Sequence, residues 1–506
     1  MLCNPTNFTM HRSHALFVIS HLFIGLGASK CSFDPSLRVD TTVGTVEGFV
    51  NASMPGIKQW LGVPFAEPPV GSLRWKTPVI KAKSSALIEA KTPPNSCPQY
   101  LDPGASIFND LTPQFLAQPP YSEDCLYLNV ITPIKADGKL PVLVWVHGGE
   151  FLFGGINTAY ENPRKWVERS QSHIVVMINY RLNIFGFPNA KGLTDKNFGI
   201  LDQRLALEWV RDNIKQFGGD PEKITLWGQS AGSSSVDGLQ FAWPSDPIFR
   251  SAIAESGVTL MGMTSKDLNQ TSFDIISKQL GCSTNKTAQD ELECMQKVDA
   301  GIIEEVLFNY TASGATPALY FGAHADGKTV FTLAEYLSKG EAGDYANVPM
   351  LIGSNAQEGS SFVPFLANNT LTATQIATFT DEVVQCPVAK TCKFREDSGR
   401  LTYRYLYAGN FTNISPVPWV GAYHFAELPL VMGTDSDYRS PSTPFETSLS
   451  HLMQDMWLAF ANDPHEGLRR YKWTPYSSNG TALVLGRNNV LAQPGAISAI
   501  DAGCST

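Results

Sequence analysis

The stretch LWGQSAGSS (residues 226–234) ends a strand-like run with a serine set two residues from a glycine on either side. Two readings are open. A Gly-Ser run can be an ordinary loop, or Ser230 can sit on a turn so sharp that only glycines fit at 228 and 232. In G-x-S-x-G the chain leaves a strand, reverses over the serine and enters a helix, and side chains at the flanking positions would strike the neighbouring backbone. Such a turn lifts the Ser230 hydroxyl clear of a sheet. It also puts the N–H of Ala231 at a helix N-terminus, where negative charge is favoured.

The surroundings favour the second reading. LPVLVWV (140–146) and HIVVMI (173–178) are continuous apolar runs, as strands buried on both faces should be. In NFGILDQRLALEWVRDNIKQFGGDP (197–221) the period changes. Leu201, Leu205 and Trp209, with Ala206, Val210 and Ile214, fall on one side of a helix, and Gly218-Gly219 stops it. KITLWG (223–228) and VPMLI (348–352) read as further strands. This alternation means an α/β fold with a largely parallel sheet, and nothing resembling a linker divides it.

A serine hydroxyl needs a base to take its proton, and the base needs an acid to orient it. Four histidines follow Ser230: His324, His424, His451 and His465. His451 lies in a helical pattern and His465 in the turn DPHEG, whereas His424 in VGAYHFAELPLVMG (420–433) can occupy a loop. Several carboxylates could supply the acid. Glu358 ends LIGSNAQEG, just beyond an apparent strand, and active sites of parallel α/β sheets collect at such C-terminal ends; a solvated loop carboxylate is the alternative. HGGEFLFGG (147–155) follows the strand LPVLVWV, either as a plain glycine-rich turn or as a loop whose N–H groups hold a developing oxyanion.

Composition bounds the rest. The chain has 506 residues, 43% hydrophobic and 17% charged, which suits a large-cored globular protein. A net charge of −9 and the lack of a dense basic stretch argue against nucleic acid as a partner. The apolar run ALFVISHLFIGLG (15–27), ending in small residues, is too short to span a bilayer and reads as a signal-peptide core. We therefore expect residues 1–28 to be a signal peptide, residues 29–506 to form one domain, no later membrane span, and a secreted product. Cleavage would remove Cys3 and leave an even set: Cys31, Cys97, Cys125, Cys282, Cys294, Cys386, Cys392 and Cys504. In an exported chain that set reads as four disulfides. Sequons at Asn51, Asn269, Asn285, Asn309, Asn368, Asn410, Asn413 and Asn479 agree with export.

Taken together these stretches resemble the type-B carboxylesterase family, which includes cholinesterases and secreted fungal esterases and lipases. The likeness begins at VGTVEGFV (43–50) and WLGVPFAEPPVGSLRW (60–75). It continues through SEDCLYLNV (122–130), INYRLNIFGF (178–187) and AIAESG (252–257), and ends at MQDMWLAFAND (453–463). The resemblance implies an α/β-hydrolase fold: a large, mostly parallel mixed sheet flanked by helices. It implies Ser230 as nucleophile, Glu358 as the acid and His424 as the base, with N–H donors at Gly149, Glu150 and Ala231. Also implied are an Arg74–Glu123 pair and the disulfides Cys97–Cys125 and Cys282–Cys294. Proximity in CPVAKTC adds Cys386–Cys392, leaving Cys31 for Cys504. No metal or organic cofactor is expected.

Three departures qualify the likeness. Glu150 stands where a third glycine is common, Gln229 replaces a frequent glutamate, and the Cys97–Cys125 loop has no tryptophan. Without that tryptophan a choline ester lacks its cation–π partner. The loop is also shorter than fungal lipase lids, so the expected substrates are soluble small or medium esters. An interfacial lipase, a natural-product esterase or acyltransferase, and a non-catalytic binding protein are the alternatives.

Overall fold

The apolar runs do become the centre of a sheet. The computed structural model describes residues 34–101, 104–262, 264–283, 287–362 and 372–504. The expected signal peptide, Cys3, Cys31, Asn285 and Asn368 lie outside those residues.

Among the described residues the strands, in chain order, begin with β1 (Arg38–Thr41), β2 (Gly44–Glu47), β3 (Phe49–Asn51), β4 (Met54–Pro64) and β5 (Ile88–Glu89). Then come β6 (Tyr127–Pro133), β7 (Leu140–Val146), β8 (Ile174–Ile178), β9 (Gly219–Gln229) and β10 (Ser251–Glu255). β11 (Met350–Asn355), β12 (Thr402–Tyr407), β13 (Thr481–Leu485) and β14 (Ala492–Ala496) complete the series. β1, β2 and β5 make a small sheet, and the other eleven form one large sheet ordered β14-β13-β12-β11-β10-β9-β7-β8-β6-β4-β3. From β13 through β8 every neighbouring pair is parallel; the outer pairs on both sides are antiparallel. The fold is the expected α/β-hydrolase arrangement. From Leu37 onward the chain is one compact unit.

Residues of β7 and β8 from Val142 and Ile174 onward are fully buried or nearly so, because helices cover both sheet faces. On one face the helix Phe198–Asn213 packs Ala206 and Val210 against the sheet, extends as a tighter turn over Ile214–Phe217, and closes at Gly218 with φ +95°. This helix also buries Asp202, whose carboxylate accepts from Arg181 Nη2 at 2.7 Å and Nε at 2.8 Å. On the other face Trp145 and Trp227 meet at 4.4 Å between ring centroids, joined by Trp166 and by residues of the helix Pro444–Asn462.

Cys97 bonds Cys125 and Cys282 bonds Cys294, the pairings the resemblance implies, and Arg74 grips Glu123 with two bonds of 2.6 Å. The remaining pairing needs correction. Cys386 bonds Cys504, and Cys392 is a buried free thiol, pushed up to about 12 by burial. CPVAKTC opens the helix Cys386–Asp397. Six helical steps separate its cysteines by roughly 9 Å along the axis, beyond disulfide reach. Asn413 also departs from expectation: it is buried, and its Nδ2 donates to Asp435 O and to Glu446 Oε1, both at 2.8 Å, leaving no room for a glycan. Asn269, Asn309, Asn410 and Asn479 are exposed and Asn51 is half-buried.

Candidate active site

The loops after β7, β9, β11 and β12 leave the C-terminal ends of parallel strands, and the turn after β9 carries the serine. Ser230 sits between β9 and the helix Ala231–Ala242 at φ +54°, ψ −121°, a strained conformation for a residue with a side chain. Its flanking glycines are there for want of space. A Cβ at Gly232 would lie 2.0 Å from the carbonyl oxygen of Val146, and one at Gly228 2.6 Å from the backbone of Gly232. Backbone bonds fix the turn, since Ser230 N–H donates to Glu255 O at 2.9 Å and Ser234 N–H to Ser230 O at 2.8 Å.

Glu358 begins a short 3-10 turn just after β11 and is fully buried. One carboxylate oxygen accepts the N–H of Asn355 at 2.7 Å; the other lies 2.6 Å from His424 Nδ1. His424 lies in the segment between β12 and the helix Leu428–Met432, 2% exposed. Phe362 and Phe425 flank its ring, each with its centroid 4.8 Å away. Of the four histidines after Ser230, it is the one whose ring meets a carboxylate among the described residues. His451 and His465 are exposed.

With Nδ1–H donated to Glu358, Nε2 is left as an acceptor. The hydrogen-bond partner recorded there is the Gln229 side-chain amide, at 3.3 Å.

The loop after β7 carries a run of unusual dihedrals: Gly149 at φ +103°, Glu150 at +58° and Phe151 at +63°. A Cβ at Gly149 would sit 2.1 Å from Phe153 O, so the turn excludes other residues. His147 anchors it. Its ring stacks on Tyr180 at 4.4 Å, and burial pulls it down to about 4, so it stays neutral.

Several groups around this centre lie in the quoted stretches but were not singled out there. Gln357 ties the two catalytic-side loops together, its N–H donating to Ala422 O at 2.9 Å and its Oε1 accepting Ala422 N–H at 2.8 Å. Asn355 Nδ2 bonds Tyr423 O at 2.7 Å and also Glu427. Glu255, at the end of β10, accepts both the Trp227 indole N–H (2.9 Å) and that of Trp457 (2.7 Å). Burial raises Glu255 to about 8, and burial beside Glu255 and Glu358 holds Glu427 well above the usual carboxylate range. Burial thus disfavours a negative charge on either carboxyl. Spacing offered no way to find these groups, because each depends on which strand ends become neighbours.

Ser230 opens on a cavity of about 390 Å³ lined by Leu152, Met261, Leu319, Phe321, Phe362, Val383 and Lys266. A second cavity of about 660 Å³, with Tyr100, Phe108, Phe153 and Tyr310 in its wall, shares Glu150, Leu152 and Leu319 with the first. The Cys97–Cys125 loop borders it and is pinned by aromatic packing, with Phe108 and Phe115 each 5.4 Å from Phe425. Chemically, this is a hydroxyl, an oriented imidazole and a buried carboxylate beside a strained glycine loop.

Comparison with known proteins agrees with that chemistry. The model of the carboxylesterase family matches residues 35–378 and 367–496. Chlorogenic acid esterase of Aspergillus niger is 42% identical over 90% of this chain and 88% of its own. Secreted lipase 5 of Gibberella zeae is 42% identical over 87% of each. Para-nitrobenzyl esterase of Bacillus subtilis is 29% identical over 87% of this chain and 92% of its own.

Proposed function

This chain belongs to the carboxylesterase family and is a carboxylic ester hydrolase, and on that premise we propose that Ser230, His424 and Glu358 are its catalytic triad. The 2.6 Å contact between Glu358 and His424 Nδ1, behind a serine held at positive φ, carries the assignment.

His424 Nε2 takes the proton of Ser230 as the hydroxyl oxygen attacks the ester carbonyl. The oxyanion is held by N–H groups of Gly149, Glu150 and Ala231, each such donor contributing roughly 3–4 kcal/mol. His424 then passes the proton to the leaving alcohol, and a water activated by the same nitrogen releases the acid. Glu358 fixes the tautomer and stabilises the imidazolium. The Glu150 side chain is exposed, so its charge is solvated rather than buried against the oxyanion.

The chain is read as an exported protein, processed near residues 27–29; N-terminal sequencing of the protein from culture medium checks this. The two cavities, which share Glu150, Leu152 and Leu319 in their walls, suit an ester with two sizeable halves. The pinned Cys97–Cys125 loop favours soluble esters. A lipase is the second reading, favoured by the likeness to a secreted lipase; a rate jump above substrate solubility separates the two.

The decisive experiment is Ser230→Ala. Hydrolysis of p-nitrophenyl acetate is expected to fall by roughly 10⁴-fold or more, and covalent labelling by a fluorophosphonate to vanish, with an unchanged circular dichroism spectrum. Retained turnover would refute the triad.

A further inference from the structure

A third cavity, of about 230 Å³, shares no lining residue with either cavity near Ser230. Its wall includes Asn129 and Ile131 of β6, Met177 of β8, and Asn162, Arg164 and Tyr438. Three of these side chains keep N–H groups without a hydrogen-bond partner among the described residues. Arg164 gives Nε to Asn162 Oδ1 at 2.8 Å, which leaves Nη1 and Nη2. The same bond occupies the Asn162 oxygen and leaves its Nδ2. Asn129 is 4% exposed, and its Oδ1 accepts the Gly62 N–H at 2.9 Å, so Nδ2 is again the atom left over. Asn157, Thr158 and Tyr438, on the same wall, donate to the backbone carbonyls of Pro94, Gly155 and Ala159. What remains is a half-buried guanidinium and two amides with hydrogens to give.

The charges around Arg164 do not answer it. Asp437 acts on it through space but is paired with Lys165. Burial raises Glu161, three residues earlier, to about 8, which disfavours a negative charge there. Burial also pulls Arg164 below its ordinary value, the sign of a cation that water solvates poorly. Charges taken out of water are normally paired. The planar fork of a guanidinium matches two oxygens of a carboxylate or a phosphate.

We infer that this cavity is a binding site for a small oxyanion, either phosphate or the carboxylate of an organic acid, held by the Arg164 guanidinium and the side-chain amides of Asn129 and Asn162. The site is independent of the triad and stands or falls without it.

The experiment is calorimetric titration of the full chain at pH 7 with sodium phosphate, with sodium acetate and, as control, with sodium chloride. Wild type should bind phosphate or acetate saturably at one site, and chloride at equal ionic strength should not reproduce the signal. Tighter phosphate assigns the site to a tetrahedral anion, tighter acetate to an organic acid; either supports the inference. Arg164→Gln removes the charged donors, and Asn129→Asp keeps the acceptor for Gly62 while putting a negative charge in the wall. Each should weaken binding by at least about tenfold. Turnover of p-nitrophenyl acetate should stay within about twofold of wild type in both variants, since the site lies apart from Ser230.

Absence of saturable binding of both anions by wild type overturns the inference, as does binding of undiminished affinity in Arg164→Gln. Should the variants fail to fold, phenylglyoxal modification of Arg164 in wild type, read by peptide mapping, decides. The bound anion at ten times its Kd should slow that reaction by about tenfold. An unchanged rate of modification sinks the idea.

Discussion

Both oxygens of the Glu358 carboxylate are engaged, one by a backbone N–H and one by His424. Glu358→Gln keeps the shape but lets the imidazole settle in the wrong tautomer. By analogy with the same change in serine proteases, kcat should fall by roughly 10⁴-fold with little loss of melting temperature. A second buried acid affects stability instead. Burial raises Glu161 to about 8 while its carboxylate accepts the Trp145 indole N–H at 3.0 Å. The folded state then holds a proton that the unfolded chain releases near pH 4.5. Stability is full below that pH, falls as the pH rises toward 8, and is flat above. Glu161→Gln, neutral throughout, should match wild type at pH 4 and exceed it at pH 9 by up to about 5 kcal/mol, read as melting temperature against pH. Ser230, Glu358 and His424 could be singled out in the sequence because each sits in a motif. Gln357, Asn355, Glu255 and Glu427 lie in the same quoted stretches, but their roles arise from loops meeting across the strand ends, and local spacing carries no trace of that.

The turn between β9 and the helix Ala231–Ala242 works because no atom stands where a methyl group would. Gly232→Ala would drive a carbon to 2.0 Å from Val146 O and so push β7 away from the helix. Loss of more than about 4 kcal/mol is expected, read as failure to accumulate as soluble protein. Elements with an unambiguous period were legible. β7 spans the apolar run LPVLVWV, and β8 begins one residue inside HIVVMI. The Cys386–Cys392 pairing failed because nearness in sequence is not nearness of side chains along a helix, and Pro387 is compatible with a helix's first turn. The helix Phe198–Asn213 was recognisable from its apolar stripe, but its buried Asp202–Arg181 pair was not, since charges at those positions read as a solvated face.

Across the molecule, the Cys386–Cys504 bond ties the C-terminal end to the helix that flanks β11 and β12, closing 118 residues. Arg404, buried in β12, grips Asp501 with two bonds of 2.6 Å beside it. A loop of that length accounts for about 5 kcal/mol in the chain-entropy picture, against about 3 kcal/mol for the 12-residue separation of Cys282 and Cys294. Cys504→Ser should therefore lower the melting temperature more than Cys282→Ser does. Peptide mapping without reductant should recover the 386 and 504 fragments joined and Cys392 alkylated only after unfolding.

The carboxyl groups of Glu161 and Glu255, each lying on indole N–H groups, also give the protein a built-in optical gauge. As the pH rises through about 8 both become anionic against Trp145, Trp227 and Trp457. Tryptophan emission from the folded chain should change intensity and wavelength over that interval, without unfolding. A Glu161→Gln, Glu255→Gln double variant should stay dark to the change, so the proton content of the interior can be followed in a cuvette.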